Sequence, residues 1–157
     1  MARKPQFARP FVLACQTRHT RLAAIGVTNL QRLVTIGALP HERLKDVLQG
    51  LHETANLSSF IPAYVLARPP LTSAIGLEIQ LKILQTLPSL FRFYADNLTG
   101  ALLASTLEIC ATLQNSKTTA VSNTAAATLQ QLVIAVFEKV SQEDSSFALL
   151  NHYTVLI

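Results

Sequence analysis

The sequence predicts an all-α fold of paired antiparallel helices. Apolar residues recur at three- and four-residue spacing through most of the chain. Alternating β-branched runs between tight turns are missing, and only five glycines are present to make such turns. Half of the residues are hydrophobic and 14% are charged, against about 25% charged in an ordinary domain. With so lean a polar coat, part of the apolar surface is expected to meet something beyond its own core.

The elements follow from the periodicity in order. A short helix is expected from Pro5 to Cys15. A second runs from about His19 to Ile36 with Leu22, Ile25, Asn29, Leu33 and Ile36 on one face, and Gly37 follows as a C-terminal signal. Pro40 suits the first turn of a third helix, whose Leu44, Val47, Leu48, Leu51 and Ala55 form a clean apolar stripe, with Arg43, Lys45, Asp46, Gln49 and Glu53 opposite. From Asn56 to Gly76 the pattern dissolves around Pro62, Pro69 and Pro70, so residues 58–76 read as a loop or insertion. Helix four, Leu77 to Tyr94, is apolar almost all round and belongs in the centre; Pro88 should kink or split it. Helix five runs from Asn97 to Gln114. Ser122 reads as the N-cap of helix six, which reaches Val140 with Ala125, Leu129, Leu132, Val133, Val136 and Val140 on its apolar face. The later helices start roughly 20 residues or a little more apart, and pairs recurring at about 40 residues are the mark of an armadillo/HEAT-like α-solenoid. The expectation is one helical-repeat domain over 1–157. It is expected to be a fragment of a longer chain, because Phe147 to Ile157 offers no polar terminal cap.

Composition excludes several classes. The longest apolar runs, such as Leu132 to Phe137, fall short of the roughly 20 residues of a membrane span, and Arg9 and Pro10 interrupt any signal-like start. Cys15 and Cys110 make no disulfide framework, which points to a reducing compartment; the sequons at Asn56 and Asn97 carry no weight there. Charge is uneven. Residues 1–45 hold eight of the 13 Lys and Arg and one acid, a net of +7, and the remainder nets −3. The basic end is the place for an anionic partner.

No catalytic, cofactor or metal site is expected. Cys15 and His19 are two ligands at i, i+4 where a structural zinc needs four. Cys110, mid-helix among Leu107, Ile109 and Leu113, reads as an inert buried thiol and not as the partner of His41, His52 or His152. Lys117-Thr118 lacks the glycines of a phosphate loop. The basic N-terminal region has no interleaved aromatic platform, which argues against nucleic acid.

The run from Leu113 through Ser122-Asn123-Thr124-Ala125-Ala126-Ala127-Thr128 to Val133, followed by Val136-Phe137-Glu138-Lys139-Val140, resembles the N-terminal DCB (dimerisation and cyclophilin-binding) domain of the Sec-seven superfamily of large Arf exchange factors. Pro10 to Cys15, Ala24-Ile25, Leu30 to Leu33 and Lys82 to Leu87 are similar to its earlier helices. The resemblance covers about 7–57 and 77–140. It implies an armadillo-like solenoid, with Asn123, Thr124, Ala125, Ala126, Ala127 and Thr128 as a structural motif whose small side chains admit a neighbouring helix. It implies a non-catalytic scaffold at the trans-Golgi network and endosomes. Implied partners are the adjacent HUS region, a Dop-one-type protein, a flippase and Arf-like GTPases, with self-association possible. The competing expectation is a generic helical-repeat domain of a regulatory or nucleic-acid-associated protein. A separate expectation comes from charge: Arg18, Arg21 and Arg32, with Thr28, fall near one stripe of the second helix, opposite much of its apolar face, and Lys4 and Arg9 lie upstream. Such a stripe suits anionic headgroups, phosphoinositides included.

Overall fold

A computed structural model describes residues 6–17, 19–57, 71–98 and 100–154. The helices are α1 (Arg9–Gln16), α2 (Thr20–Thr35), α3 (Leu44–Leu57), α4 (Leu71–Tyr94), α5 (Ala101–Gln114) and α6 (Thr119–Thr154), with a 3-10 turn at His41–Arg43 leading into α3. There is no strand among the described residues, and the all-α expectation is met.

The helices stack in two layers. α1, α3 and α5 touch in succession to form one layer; α2, α4 and α6 form the other. α1 with α2, α3 with α4 and α5 with α6 join the layers. α2 and α4 run parallel: the Lys82 ammonium donates to Thr28 Oγ1 at 2.9 Å and the Gln31 amide to Gln85 Oε1 at 3.2 Å, both pairs 54 residues apart. Contacts that straddle residues 58–70 share that long offset. Those that do not are closer in sequence, 39 residues for Cys15–Thr54 and 43 for Asp96–Lys139.

The core follows the apolar stripes. Leu44, Val47, Leu48, Leu51 and Ala55 of α3 are all buried, as their spacing predicts. α4 touches α2, α3, α5 and α6 and buries Ile79, Ile83, Leu84, Leu87 and Leu90. Its central place fits a helix that is apolar over most of its circumference, with a narrow polar stripe of Glu78, Gln85 and Arg92 left exposed. α4 begins at Leu71, so 71–76 are helical, while 58–70 lie outside the described residues. Pro88 does not split the helix.

Gly37 ends α2 in the left-handed region, at φ 59°. The Ala38 amide donates to Leu33 O at 2.8 Å and the Gly37 amide to Val34 O at 2.9 Å, the two bonds of a Schellman cap. The chain turns there so that the Leu39 amide reaches the Tyr94 hydroxyl at 2.8 Å, which ties the end of α2 to the end of α4.

Ser122 is not a cap. α6 starts at Thr119, and the Ser122 hydroxyl donates 2.7 Å to the carbonyl of Gln114, the last residue of α5. It satisfies one of the carbonyls that a helix end leaves open. α6 also runs on to Thr154, well past Val140. Thr119–Ser146 is long and apolar enough, by length and composition, to cross a membrane, which run length in the sequence did not show. In this fold that segment buries Val121, Ala125, Thr128 and Leu132 and packs along α4 and α5.

Candidate interaction surfaces

The exposed face of α2 is set by which face the fold buries. The buried stripe is Ala23, Gly26, Val27, Leu30 and Val34, and not the larger Leu22, Ile25, Asn29, Leu33, Ile36 series. The reason is steric. A Cβ at Gly26 would stand 2.7 Å from Phe11 O and 2.9 Å from Cys15 Sγ, so this side of α2 admits the backbone of α1 and a bulkier side does not. Leu22, Ile25 and Ile36 are consequently turned outward, at 46%, 56% and 70% exposure.

Arg21 and Arg32 share that outward face, and both are exposed. Positions 21, 25, 32 and 36 fall within about a sixth of a turn of one another at 100° per residue. The arginines thus interleave with the exposed apolar residues, where an arrangement opposite the apolar face was expected. On α1, Arg9 and Leu13 are exposed one turn apart. Lys4 and Arg18 lie outside the described residues. Thr28 is not part of the basic face: it accepts from Lys82, whose ammonium also meets Glu78 Oε1 at 2.7 Å.

Two of the lysines are matched by acids. Lys82 is matched by Glu78, and Lys139 by Asp96 at 2.6 Å and Glu143 at 3.4 Å. The hydrogen bond from Lys139, with its charge, lowers the Asp96 carboxyl below the ordinary aspartate value, and the same bond raises the lysine. Arg9, Arg21, Arg32 and Arg92 enter no ion pair among the described residues.

A second exposed apolar stripe lies on α6. Val133, Ile134, Phe137 and Val140 face out, Phe137 at 71%. Val133 and Val140 were expected in the core. They fall roughly a quarter to a third of a turn from the stripe of Val121, Ala125, Thr128 and Leu132, which α5 and α4 cover. Sequence reasoning merged two apolar stripes of one helix into a single wide one. A shallow groove of about 930 Å³ runs between the end of α4 and the middle of α6, walled by Phe91, Arg92, Asp96, Glu138, Lys139 and Glu143.

Within the motif, Ala125 and Thr128 are buried, Thr124 and Ala126 half-buried, and Asn123 and Ala127 exposed. Thr124 donates back to Ala120 O at 2.7 Å. The bond between neighbouring helices comes from Ser122, one residue before the asparagine.

Cys15 and His19 do not share a helix face. α1 stops at Gln16, and Thr17 and His19 are extended. No group of three or more potential metal ligands exists among the described residues. Cys15 and Cys110 are buried, and desolvation pushes each thiol up to about 11, far from the reactive range.

A family model described as "Mon2/Sec7/BIG1-like, dimerisation and cyclophilin-binding domain" matches residues 1–144. The chain is 34% identical to Protein MON2 of Saccharomyces cerevisiae over 145 residues, which is 91% of this chain and 8% of that protein. It is 32% identical to the MON2 homolog of Schizosaccharomyces pombe, covering 84% of this chain and 7% of that one. It is 34% identical to Monensin-resistant homolog 2 of Caenorhabditis elegans, covering 91% and 8%. The chain therefore spans under a tenth of the length of the curated relatives it matches. No solved structure matches it. The chain belongs to the Mon2/Sec7/BIG1-like DCB domain family.

Proposed function

We propose that this domain is a non-catalytic scaffold module of a membrane-trafficking protein of the Golgi and endosomes, acting through protein contacts and through anionic lipid. The observation that carries the lipid contact is the outward face of α2, where Arg21 and Arg32, in no ion pair among the described residues, interleave with exposed Leu22, Ile25 and Ile36. Arginine forks match phosphate oxygens, and apolar residues between them suit the boundary between headgroup and acyl chain. Arg9 of α1 extends the basic surface, and Lys4 and Arg18 belong to the same proposed site.

The protein contacts of this reading include self-association, in keeping with the dimerisation in the family's name, and the HUS region, Dop-one-type protein, flippase and Arf-like GTPases of trafficking scaffolds. The exposed α6 stripe supports this part, because contiguous apolar surface marks contact sites. The two layers are turns of an α-solenoid. In it residues 58–70 are an insertion into a period of about 40, which accounts for the offsets of 54 across that segment and of 39 and 43 elsewhere.

Flotation with phosphatidylcholine vesicles, with and without phosphatidylserine or a phosphoinositide, tests the lipid contact. The chain should float with anionic vesicles and release as salt rises. Combined Arg9→Glu, Arg21→Glu and Arg32→Glu should abolish flotation. Equal binding of the variant, or of neutral vesicles, would remove the basic face from the account.

A further inference from the structure

The basic face does not end with α2. The Schellman turn at Gly37 brings the end of α2 against the end of α4, and the space beside Gly37 is filled by the Phe93 ring, whose Cδ1 lies 3.4 Å from where a Cβ would stand. Phe93 remains 44% exposed and Ile36, the residue before the glycine, 70%. The Arg92 guanidinium lies 5.5 Å from the centre of the Phe93 ring, and Arg32 is one turn before Ile36 on the outward face. An exposed apolar side chain at the end of α2 and another near the end of α4 thus lie on either side of Gly37. Each is accompanied by an arginine that has no acidic partner among the described residues.

We infer that the corner at Gly37 is an insertion tip for an anionic bilayer: Ile36 and Phe93 enter the boundary below the phosphates while Arg32 and Arg92 hold the phosphates themselves. The inference rests on the lipid reading above and deepens it. Charge complementarity selects the occupant. The corner adjoins the stretch 1–45 with its net +7, while Lys139, on the α6 side of Arg92, is already paired with Asp96 and Glu143. A free phosphate would use the arginines and leave Ile36 and Phe93 in water; a bilayer uses all four. Each arginine contributes about a fivefold factor in binding, and partial burial of the two apolar side chains roughly a further tenfold. Unlike pure charge attraction, that apolar part survives high salt.

The chain has no tryptophan, so Phe93→Trp places a single reporter at the tip. With phosphatidylcholine–phosphatidylserine vesicles its emission should shift to the blue and be quenched by brominated acyl chains. Inorganic phosphate should leave it unchanged. Ile36→Ser with Phe93→Ser keeps every arginine and should bind these vesicles about tenfold more weakly, with its helical circular dichroism intact because both sites are at the surface. Binding with an unshifted, unquenched tryptophan would overturn insertion and leave the charge-based lipid contact standing. Absence of binding to any vesicle would overturn both, and a blue shift with inorganic phosphate alone would replace the bilayer by a free anion.

Discussion

Replacing Gly26 by alanine should destabilise the domain, although the same change in a free helix stabilises. Alanine in place of glycine within a helix gains about 1 kcal/mol from propensity alone. Here the new methyl would stand 2.7 Å from Phe11 O, 2.9 Å from Cys15 Sγ and 3.0 Å from Cys15 N. Two of these are backbone atoms of α1, so relief requires the whole helix to move. Overpacking of this kind costs about 1–3 kcal/mol, and a contact with a neighbouring helix's backbone belongs toward the upper end. The net expected loss is about 1–2 kcal/mol, a fall in Tm of roughly 2–8 °C for a chain of this size. Gly50 is the matched control. It faces the same helix, but its Cβ would meet Cys15 Cβ at 3.4 Å and Val12 Cγ1 at 3.6 Å, ordinary contact distances. Gly50→Ala should therefore keep most of the propensity gain and raise stability by up to about 1 kcal/mol. Urea unfolding followed by circular dichroism gives both values. If Gly26→Ala is as stable as Gly50→Ala, α1 does not sit against α2 as described and the outward face of α2 is wrongly assigned.

Further consequences are as direct. Leu132 is 1% exposed, so Leu132→Asp, which removes a buried leucine and buries a charge, should cost about 4 kcal/mol or more and abolish cooperative unfolding; Phe137→Asp, on the open stripe of the same helix, should leave the unfolding midpoint nearly unchanged. Ser122→Ala removes the bond to Gln114 O and should cost about 1 kcal/mol, whereas Asn123→Ala, at an exposed position, should stay within about 0.5 kcal/mol of the parent. The Asp96 carboxyl, held low by Lys139, should titrate by NMR below the usual aspartate value of about 3.9, and Lys139→Met should return it toward that value. Because the folded pKa is the lower one, any stabilisation from this pair is present above the unfolded value and fades as pH falls through the folded one.

What could be read from the sequence was governed by side-chain size. The α3 stripe Leu44, Val47, Leu48, Leu51 and Ala55 and the central position of α4 are written in large apolar residues, and both hold. The face of α2 failed because its contact with α1 is made by Ala23 and Gly26. A hydrophobicity pattern gives little weight to the residues that allow the closest approach. Gly26 and Gly50, each facing Cys15 of α1, were the available signal. The start of α6 was misplaced for a related reason. Ser122 has the chemistry of a cap but spends its hydroxyl on the end of the preceding helix, and a local rule cannot see a partner eight residues away. Of the basic residues, Arg9, Arg21 and Arg32 were readable from charge, and they are exposed. Arg92 and Phe93 were not, because only the packing of α4 beside α2 brings them to the same corner.

Hydrogen exchange on the chain with and without phosphatidylcholine–phosphatidylserine vesicles separates a membrane contact by the outward face of α2 and the end of α4 from one by the outer stripe of α6. Exchange should slow in peptides covering residues 20–37 and 91–94 and stay unchanged in 130–141. Protection of the α6 peptides with α2 unchanged would contradict the contact through α2 and α4.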